Sequence, residues 1–136
     1  MACEETLTAT AWTDLAVLRF QTVANANPFG LIESPLELLN RSYLHVYQFN
    51  NQAALIALKR ESFANGIRVH VQGLVSLPHS APLQLRQVMM AIENQALVYG
   101  ADVLTMCTHH AALAAGAARW GGHISGAVLS KKLKGQ

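Results

Sequence analysis

The sequence predicts one α/β domain whose β-sheet mixes parallel and antiparallel strands. Residues 67–108 have the pattern of strand, helix and strand, which is the right-handed crossover that joins two parallel strands. Residues 43–76 contain three strand-like runs separated by turn residues, the last of which alternates apolar and polar side chains, and this is typical of an antiparallel meander. A chain of 136 residues is large enough to bury its own core, so we expect a single domain over residues 1–136.

The composition narrows the class of protein. Hydrophobic residues make up 51% of the chain and charged residues only 13%, about half the usual charged share. A surface with so little charge leads us to expect that a protein partner or further copies cover part of it. The net charge of +2 and the lack of a nucleic-acid-binding motif argue against a nucleic-acid partner. We find neither a basic-then-apolar leader nor an apolar run of about 20 residues, so we expect a soluble, cytoplasmic protein without a membrane segment.

The N-terminal third predicts a weak strand and two helices. The weak strand is Glu5–Ala11, and Thr13 or Asp14 can cap the helix that follows. That helix carries the apolar residues Leu15, Val17, Leu18, Phe20, Val23 and Ala24. A capping box that starts at Ser34, with Pro35 in the first helical position, predicts a short second helix through about Asn40.

The middle of the chain predicts three antiparallel strands. The first runs from Tyr43 to Phe49 and ends in the turn at Asn50–Asn51, and the second runs over residues 53–61. An Asn–Gly turn within residues 63–66 leads to the third strand, Ile67–Ser76. Gly73 lies inside that strand, where an isolated glycine suggests a bulge or a close backbone approach.

The last part completes the sheet. Ser80 and Pro82 predict the start of a helix that Gly100 ends, and Asp102–Thr108 predicts a buried strand. An alanine-rich helix over His110–Trp120 and a final strand over His123–Leu133 follow. The predicted order is β-α-α-β-β-β-α-β-α-β, a mixed sheet of about six to seven strands with about four helices.

This order of elements resembles the GNAT superfamily of N-acetyltransferases. The segments that carry the resemblance are the entry to the first helix at residues 10–15, the entry to the fifth strand at residues 100–104, and the closing helix and strand at residues 108–122 and 129–133. The resemblance covers nearly the whole chain and rests on the order of the elements. It implies a fold that binds acetyl-CoA at the loop before the third helix.

The loop that should bind acetyl-CoA departs from the family pattern. In the family, glycines let backbone N–H groups approach the pyrophosphate at a helix N-terminus. Here the corresponding segment is Ser80–Leu85, with Leu83 and Leu85 in the glycine positions and Pro82 removing one donor. The candidate cofactor-binding residues are therefore reduced to Ser80, Gln84 and Arg86.

The acid and base groups of the family are also missing. Ala117 stands where the family often has a tyrosine, and residues 70–73 contain no carboxylate to act as a general base. His70 is the one candidate there that titrates near neutral pH, and a hydrogen-bonded strand histidine without a catalytic role is the competing interpretation. A metal site at the strand ends is not expected, because the adjacent His109 and His110 point in different directions.

The leading hypothesis is thus a non-catalytic binding or assembly protein on a degenerate GNAT-like scaffold that uses no cofactor. Degenerate proteins of this kind occur among the virion-associated proteins of tailed bacteriophages, so the resemblance implies incorporation into a virion as one role. The alternative is an acetyl-CoA-dependent N-acetyltransferase with an atypical cofactor loop. The missing residues make us lean against an enzyme.

Overall fold

The structure is a computed structural model that describes residues 7–25 and 39–106. Its elements are β1 (Leu7–Thr10), α1 (Asp14–Asn25), β2 (Tyr43–Phe49), β3 (Gln52–Phe63), β4 (Gly66–Ser76), α2 (Leu85–Val98) and β5 (Val103–Met106). Residues 39–41 are helical as well. Most of the short second helix, the alanine-rich helix and the final strand that the sequence predicts lie outside the described residues.

The described strands form one mixed sheet in the order β1-β2-β3-β4-β5. The pairs from β1 to β4 are antiparallel, and β5 lies parallel to β4 with His70 beside Thr105. A parallel neighbour requires a crossover, and α2 supplies it. The predicted mixed sheet is therefore confirmed, and its five described strands are slightly fewer than the predicted number.

Each face of the sheet carries its own apolar cluster. The cluster between the sheet and α2, which we call the α2-side cluster, contains Tyr47, Ala54, Ile56, Leu58, Val69, Val71, Val88, Met89, Ala91, Ile92 and Ala96. The cluster between the sheet and α1, the α1-side cluster, contains Ala16, Phe20, Leu44, Leu55, Ala57 and Val75. The sheet thus buries apolar side chains on both faces, which explains the nearly continuous apolar run in β3.

Helix α1 begins where the sequence predicts. The Thr13 hydroxyl accepts a hydrogen bond from the backbone N–H of Ala16 at 3.1 Å, as an N-cap side chain does. The buried face of α1 is narrower than its apolar content suggests, because Ala16 and Phe20 are buried while Leu15 and Leu18 are 72% and 61% exposed. Among residues 14–22, the two fully buried side chains are thus those that point at the sheet.

A bulge interrupts β4. Gly73 pairs with Ala57 and Val71 pairs with Leu58, which leaves Gln72 as the extra residue. A Cβ atom on Gly73 would lie 2.6 Å from the Phe20 ring, so the glycine is required for this approach. The predicted bulge is confirmed, and the group that lies close to Gly73 is the Phe20 side chain, not a backbone.

The bulge also exchanges the faces of the strand. Before it, Val69 and Val71 belong to the α2-side cluster. After it, Val75 belongs to the α1-side cluster and Leu74 packs against the α2-side cluster. The alternation that the sequence predicts for Ile67–Ser76 therefore holds only up to the bulge.

The two hairpin turns differ. Asn50 and Asn51 have positive φ values of 49° and 64°, as the predicted turn requires. In the second hairpin Phe63 pairs with Gly66, so the turn is formed by residues 64–65 and Gly66 is the first residue of β4. The predicted Asn–Gly turn is displaced by one residue.

Helix α2 begins at Leu85, so the predicted start at Ser80 and Pro82 is wrong. The backbone N–H groups of Ala81 and Gln84 donate to the β2–β3 hairpin, and Gln84 has an extended ψ of 102°. The end of the helix is confirmed, because Gly100 has a φ of 78° and follows the C-cap residue Tyr99. Within the described ranges, no helix is long and apolar enough to cross a membrane.

A buried imidazole lies between β2 and the end of α2. His45 is 0% exposed, and its Nε2 atom lies 2.7 Å from the Tyr99 hydroxyl. Its Nδ1 atom lies 3.2 Å from the carbonyl oxygen of Tyr43, so a neutral ring can donate there and accept from Tyr99. Burial lowers the pKa of His45, against smaller raising effects of backbone hydrogen bonds.

His45 makes the stability of the fold depend on pH. Below its ordinary pKa of 6.5 the unfolded chain binds a proton that the folded chain rejects, so the free energy of unfolding should fall as the pH drops from 6.5 toward the lower folded pKa. We expect the loss between about pH 7.5 and about pH 5.5 to be smaller in His45→Gln, measured by urea denaturation at both pH values. The other histidines remain in both proteins, and equal losses would contradict this origin.

Candidate functional site

The segment between β4 and α2, residues 77–84, corresponds to the cofactor loop that the family resemblance implies. Several of its backbone N–H groups donate hydrogen bonds within the protein itself. The N–H group of Leu77 donates to the carbonyl oxygen of Ala53 at 2.9 Å, and that of Ala81 donates to the carbonyl oxygen of Asn51 at 2.7 Å. The N–H group of Ser80 donates to Leu77 at 3.3 Å. The loop is thus fastened to the β2–β3 hairpin.

Gln52 holds the end of the same loop through a hydrogen bond from its side chain. Its side chain is buried, and its Oε1 atom accepts a hydrogen bond of 2.6 Å from the backbone N–H of Gln84. Gln84 is the N-cap residue of α2, so a side chain from β3 takes a donor at the point where the family uses the helix N-terminus for phosphate. The sequence offered little sign of this role beyond a polar residue at the start of an apolar strand.

The two leucines in the glycine positions face the core. Leu83 and Leu85 are partly buried and pack against the α2-side cluster. Of the candidate cofactor residues, Ser80 is half-buried, while Gln84 and Arg86 are exposed. The structure brings Ser80 and Gln84 into one loop and places Arg86 in the first turn of α2.

An open cleft of about 560 Å³ borders this loop. One wall is the β2–β3 turn with Asn50 and Asn51, and the other is residues 77–80. His79 lies in the second wall with a positive φ of 64°, which is unusual for a residue with a side chain. No described residue of the lining carries a carboxylate, a lysine or an arginine.

The second candidate area is a group of polar side chains on the face of the sheet opposite α2. Strand register places Lys59 beside His70, Glu61 beside Arg68, and His70 beside Thr105. These residues alternate with Val69 of the α2-side cluster, so they occupy the other face. We call Lys59, Glu61, Arg68, His70 and Thr105 the polar face.

His70 is oriented within the polar face by its neighbour on β5. Its Nδ1 atom and the Thr105 hydroxyl lie 2.7 Å apart. The ring is half-buried and lies a short way before the bulge at Gln72 and Gly73. The sequence singled out His70, but Thr105 could not be assigned to it without the register of the parallel strands.

Glu61 supplies the negative charge of the polar face. The Nε and Nη2 atoms of Arg68 donate to its Oε1 atom at 3.0 and 2.6 Å, and Lys59 lies 3.7 Å from Oε2. The hydrogen bond from Arg68 is the main cause that holds the pKa of Glu61 below its ordinary value. Glu61 is therefore ionised near neutral pH, and its charge also faces His70.

A metal site finds no support in the described part of the chain. No three histidine, cysteine, aspartate or glutamate side chains of residues 7–25 and 39–106 come close enough together to hold an ion. His109 and His110, at the predicted strand end, lie outside these ranges.

Comparison with solved structures shows which known proteins share this fold. The chain superposes on a mutant form of the BH1408 protein from Bacillus halodurans with a TM-score of 0.57 at 12% identity, covering 94% of this chain and 99% of that one. A Trypanosoma brucei acetyltransferase gives a TM-score of 0.54 at 9% identity, covering 93% and 99% of the two chains. Glucosamine-6-phosphate N-acetyltransferase from Arabidopsis thaliana gives 0.54 at 11% identity, covering 96% and 100%.

The fold is GNAT-like. Two of these structures are acetyltransferases, and each superposition spans nearly the whole of both chains. No protein-family profile matches the sequence, and no curated protein matches it. The chain thus shares a GNAT-like fold with proteins to which it is only about a tenth identical in sequence.

Proposed function

We propose that this protein is a binding and assembly module on a GNAT scaffold, which docks a protein partner and does not use acetyl-CoA. The observation that carries the proposal is the bonding of the loop between β4 and α2. Its N–H groups at Ala81 and Gln84 donate to the carbonyl oxygen of Asn51 and to the Gln52 side chain, so both are already hydrogen-bonded within the protein. A phosphate-binding loop needs such donors to point at the ligand.

Side chains reinforce this closed loop. Leu83 and Leu85 occupy the positions where the family has glycines, and both pack against the α2-side cluster. Pro82 has no N–H group to offer. Opening the loop for a pyrophosphate would break the bond to Gln52 and leave a buried carboxamide without its partner, at a cost of about 1–3 kcal/mol. The residues present do not fit the cofactor.

A protein partner is supported by the surface. Several large apolar side chains on both faces of the sheet are more than a third exposed, and a partner or a further copy of the chain would cover those on the face that it contacts. They are Leu15, Leu18, Leu39, Tyr43, Phe63, Met90, Leu97, Val98 and Val103. Incorporation of this protein into a bacteriophage virion is the specific assembly that the resemblance implies, and an oligomer of this chain is the simplest one.

A second candidate function is an acetyl-CoA-dependent N-acetyltransferase with an atypical loop. The observation that favours it is the bulge at Gly73, together with the His70–Thr105 pair that precedes it. In this function His70 would accept the proton of an amine, with Thr105 fixing its ring. Ser80, Gln84 and Arg86 would then be the residues nearest to the cofactor phosphates.

Calorimetric titration with acetyl-CoA separates the two functions. We expect no binding up to about a millimolar, which corresponds to an association energy weaker than about 4 kcal/mol. The physical reason is that the N–H groups of Ala81 and Gln84 already donate within the protein, while Leu83 and Leu85 stand where the family has glycines.

Micromolar binding would overturn the leading proposal, provided that it is lost in Arg86→Glu and kept in Arg41→Glu. Arg41 is an exposed arginine before β2, so Arg41→Glu makes the same change of charge at a position outside the loop. Acetylation of an amine that disappears in His70→Gln would then establish the second function. The assembly itself is tested by sedimentation of the full chain, since a stable contact of about 1,000 Å² or more should give an oligomer or a stable complex.

A further inference from the structure

The closed end of the β3–β4 hairpin carries a sequence that is chemically labile. Residues 64 and 65 form the turn and are exposed, and Gly66 opens β4. We propose that Asn65–Gly66 is a site of spontaneous deamidation in the folded protein, which converts Asn65 into aspartate and isoaspartate. This modification site is independent of the function proposed above.

The reaction needs only water. The backbone nitrogen of Gly66 attacks the side-chain amide carbon of Asn65, so that an N–C bond forms and a cyclic imide closes. The bond from that carbon to the amide nitrogen breaks, and ammonia leaves with the proton that Gly66 gives up. Water then opens the imide at either carbonyl, which yields aspartate or an isoaspartate whose backbone runs through the side chain.

The residue after the asparagine explains why this site stands out. Asn65 is the only asparagine in the sequence that precedes a glycine. Glycine has no Cβ atom to obstruct the approach of its nitrogen to the neighbouring side chain. The other exposed turn, Asn50–Asn51, is matched in exposure, but each of its asparagines precedes a residue with a full side chain. The hairpins therefore contain a reactive site and its internal control.

The product would disturb a defined set of contacts. The carboxylate of Asp102 lies against Gly66 and accepts a hydrogen bond of 2.9 Å from the N–H of Ile67. The N–H of Asp102 donates in turn to the carbonyl oxygen of Ile67 at 2.8 Å. A new carboxylate and an added backbone atom beside Gly66 would place like charges together and lengthen the chain at this junction.

The test is to age the purified full chain at mildly alkaline pH and digest it with trypsin. Cleavage after arginine and lysine yields a peptide of residues 61–68 with Asn65, and a peptide of residues 42–59 with Asn50 and Asn51. We expect the first peptide to gain the aspartate mass at least about tenfold faster than the second, because only Asn65 precedes a residue without Cβ. Isoaspartate should exceed aspartate, and Asn65→Gln should abolish the change in that peptide.

Two results would overturn the proposal. One is conversion of the 61–68 peptide no faster than that of the 42–59 peptide in the native protein. The other is conversion that occurs only in urea, which would mean that the folded turn prevents the attack. Faster amide hydrogen exchange at Ile67 and Asp102 in the aged protein, absent from aged Asn65→Gln, is the expected structural consequence.

Discussion

Phe20→Ala should lower the free energy of unfolding by about 3–5 kcal/mol, the cost of removing a buried phenyl ring and leaving a cavity. Phe20 is 1% exposed, and its ring lies against Gly73 at the bulge of β4. It also packs against Trp12, with the ring centres 5.6 Å apart and the rings tilted by 49°, so the truncation would remove this contact as well. Urea denaturation followed by circular dichroism measures the change.

Leu18→Ala is the matched control for Phe20 on the same helix. Leu18 is 61% exposed, so its truncation should change the free energy of unfolding by no more than about 0.5 kcal/mol. If the two variants lost similar stability, the assignment of the inward face of α1 would be incorrect. If Phe20→Ala is too unstable to purify, Phe20→Leu is measured in its place. Its loss of stability should be smaller than that of Phe20→Ala but still larger than that of Leu18→Ala.

Ile92→Ala should lower the free energy of unfolding by about 2–5 kcal/mol. Ile92 is 0% exposed at the centre of α2 and belongs to the α2-side cluster, to which Val69 and Ile56 of the sheet also belong. Leu97→Ala is its control, because Leu97 is 69% exposed near the end of the same helix. Denaturation by urea should therefore distinguish two truncations only five positions apart.

The two truncations also test whether the clusters are separate. Ile92 and Phe20 lie in different clusters on opposite faces of the sheet. Their losses should add within about 0.5 kcal/mol in the double variant, as for distant sites without shared partners. A larger deviation would show that the sheet transmits repacking from one face to the other.

Much of the fold could be predicted because it depends on local patterns. The alternation over residues 43–49, the turn at Asn50–Asn51 and the glycine after α2 each encode their own structure, and all three are confirmed. The start of α2 could not be predicted in this way. Pro82 suits a first helical turn, but bonds from Ala81 and Gln84 to a distant hairpin determine where the helix begins.

The candidate site was predictable only where one residue carries the information. Gly73 indicated a bulge by itself, and the bulge is present. The pairing of His70 with Thr105 and of Glu61 with Arg68 depends on strand register, which the sequence does not state. Gln52 is a further case, since its role at the helix N-terminus arises from two segments that are far apart in the chain. The roles of His70, Ser80, Gln84 and Arg86 stay predictions.

The extra residue at Gln72 divides β4 into two parts whose side chains alternate between the faces of the sheet in opposite phase. Odd-numbered side chains point toward α2 before it and toward α1 after it, as Val71 and Val75 illustrate. Deleting Gln72 itself would join Val71 to Gly73, restore a regular alternation and leave Leu74 and Val75 on their present faces. Deleting Leu74, after the bulge, would instead turn the later side chains over and send Val75 to the α2 side of the sheet. Substitutions in this strand should therefore be accepted more readily than such a change of length, and alignments with an unbulged strand that place no gap at Gln72 will assign inward and outward positions in reverse.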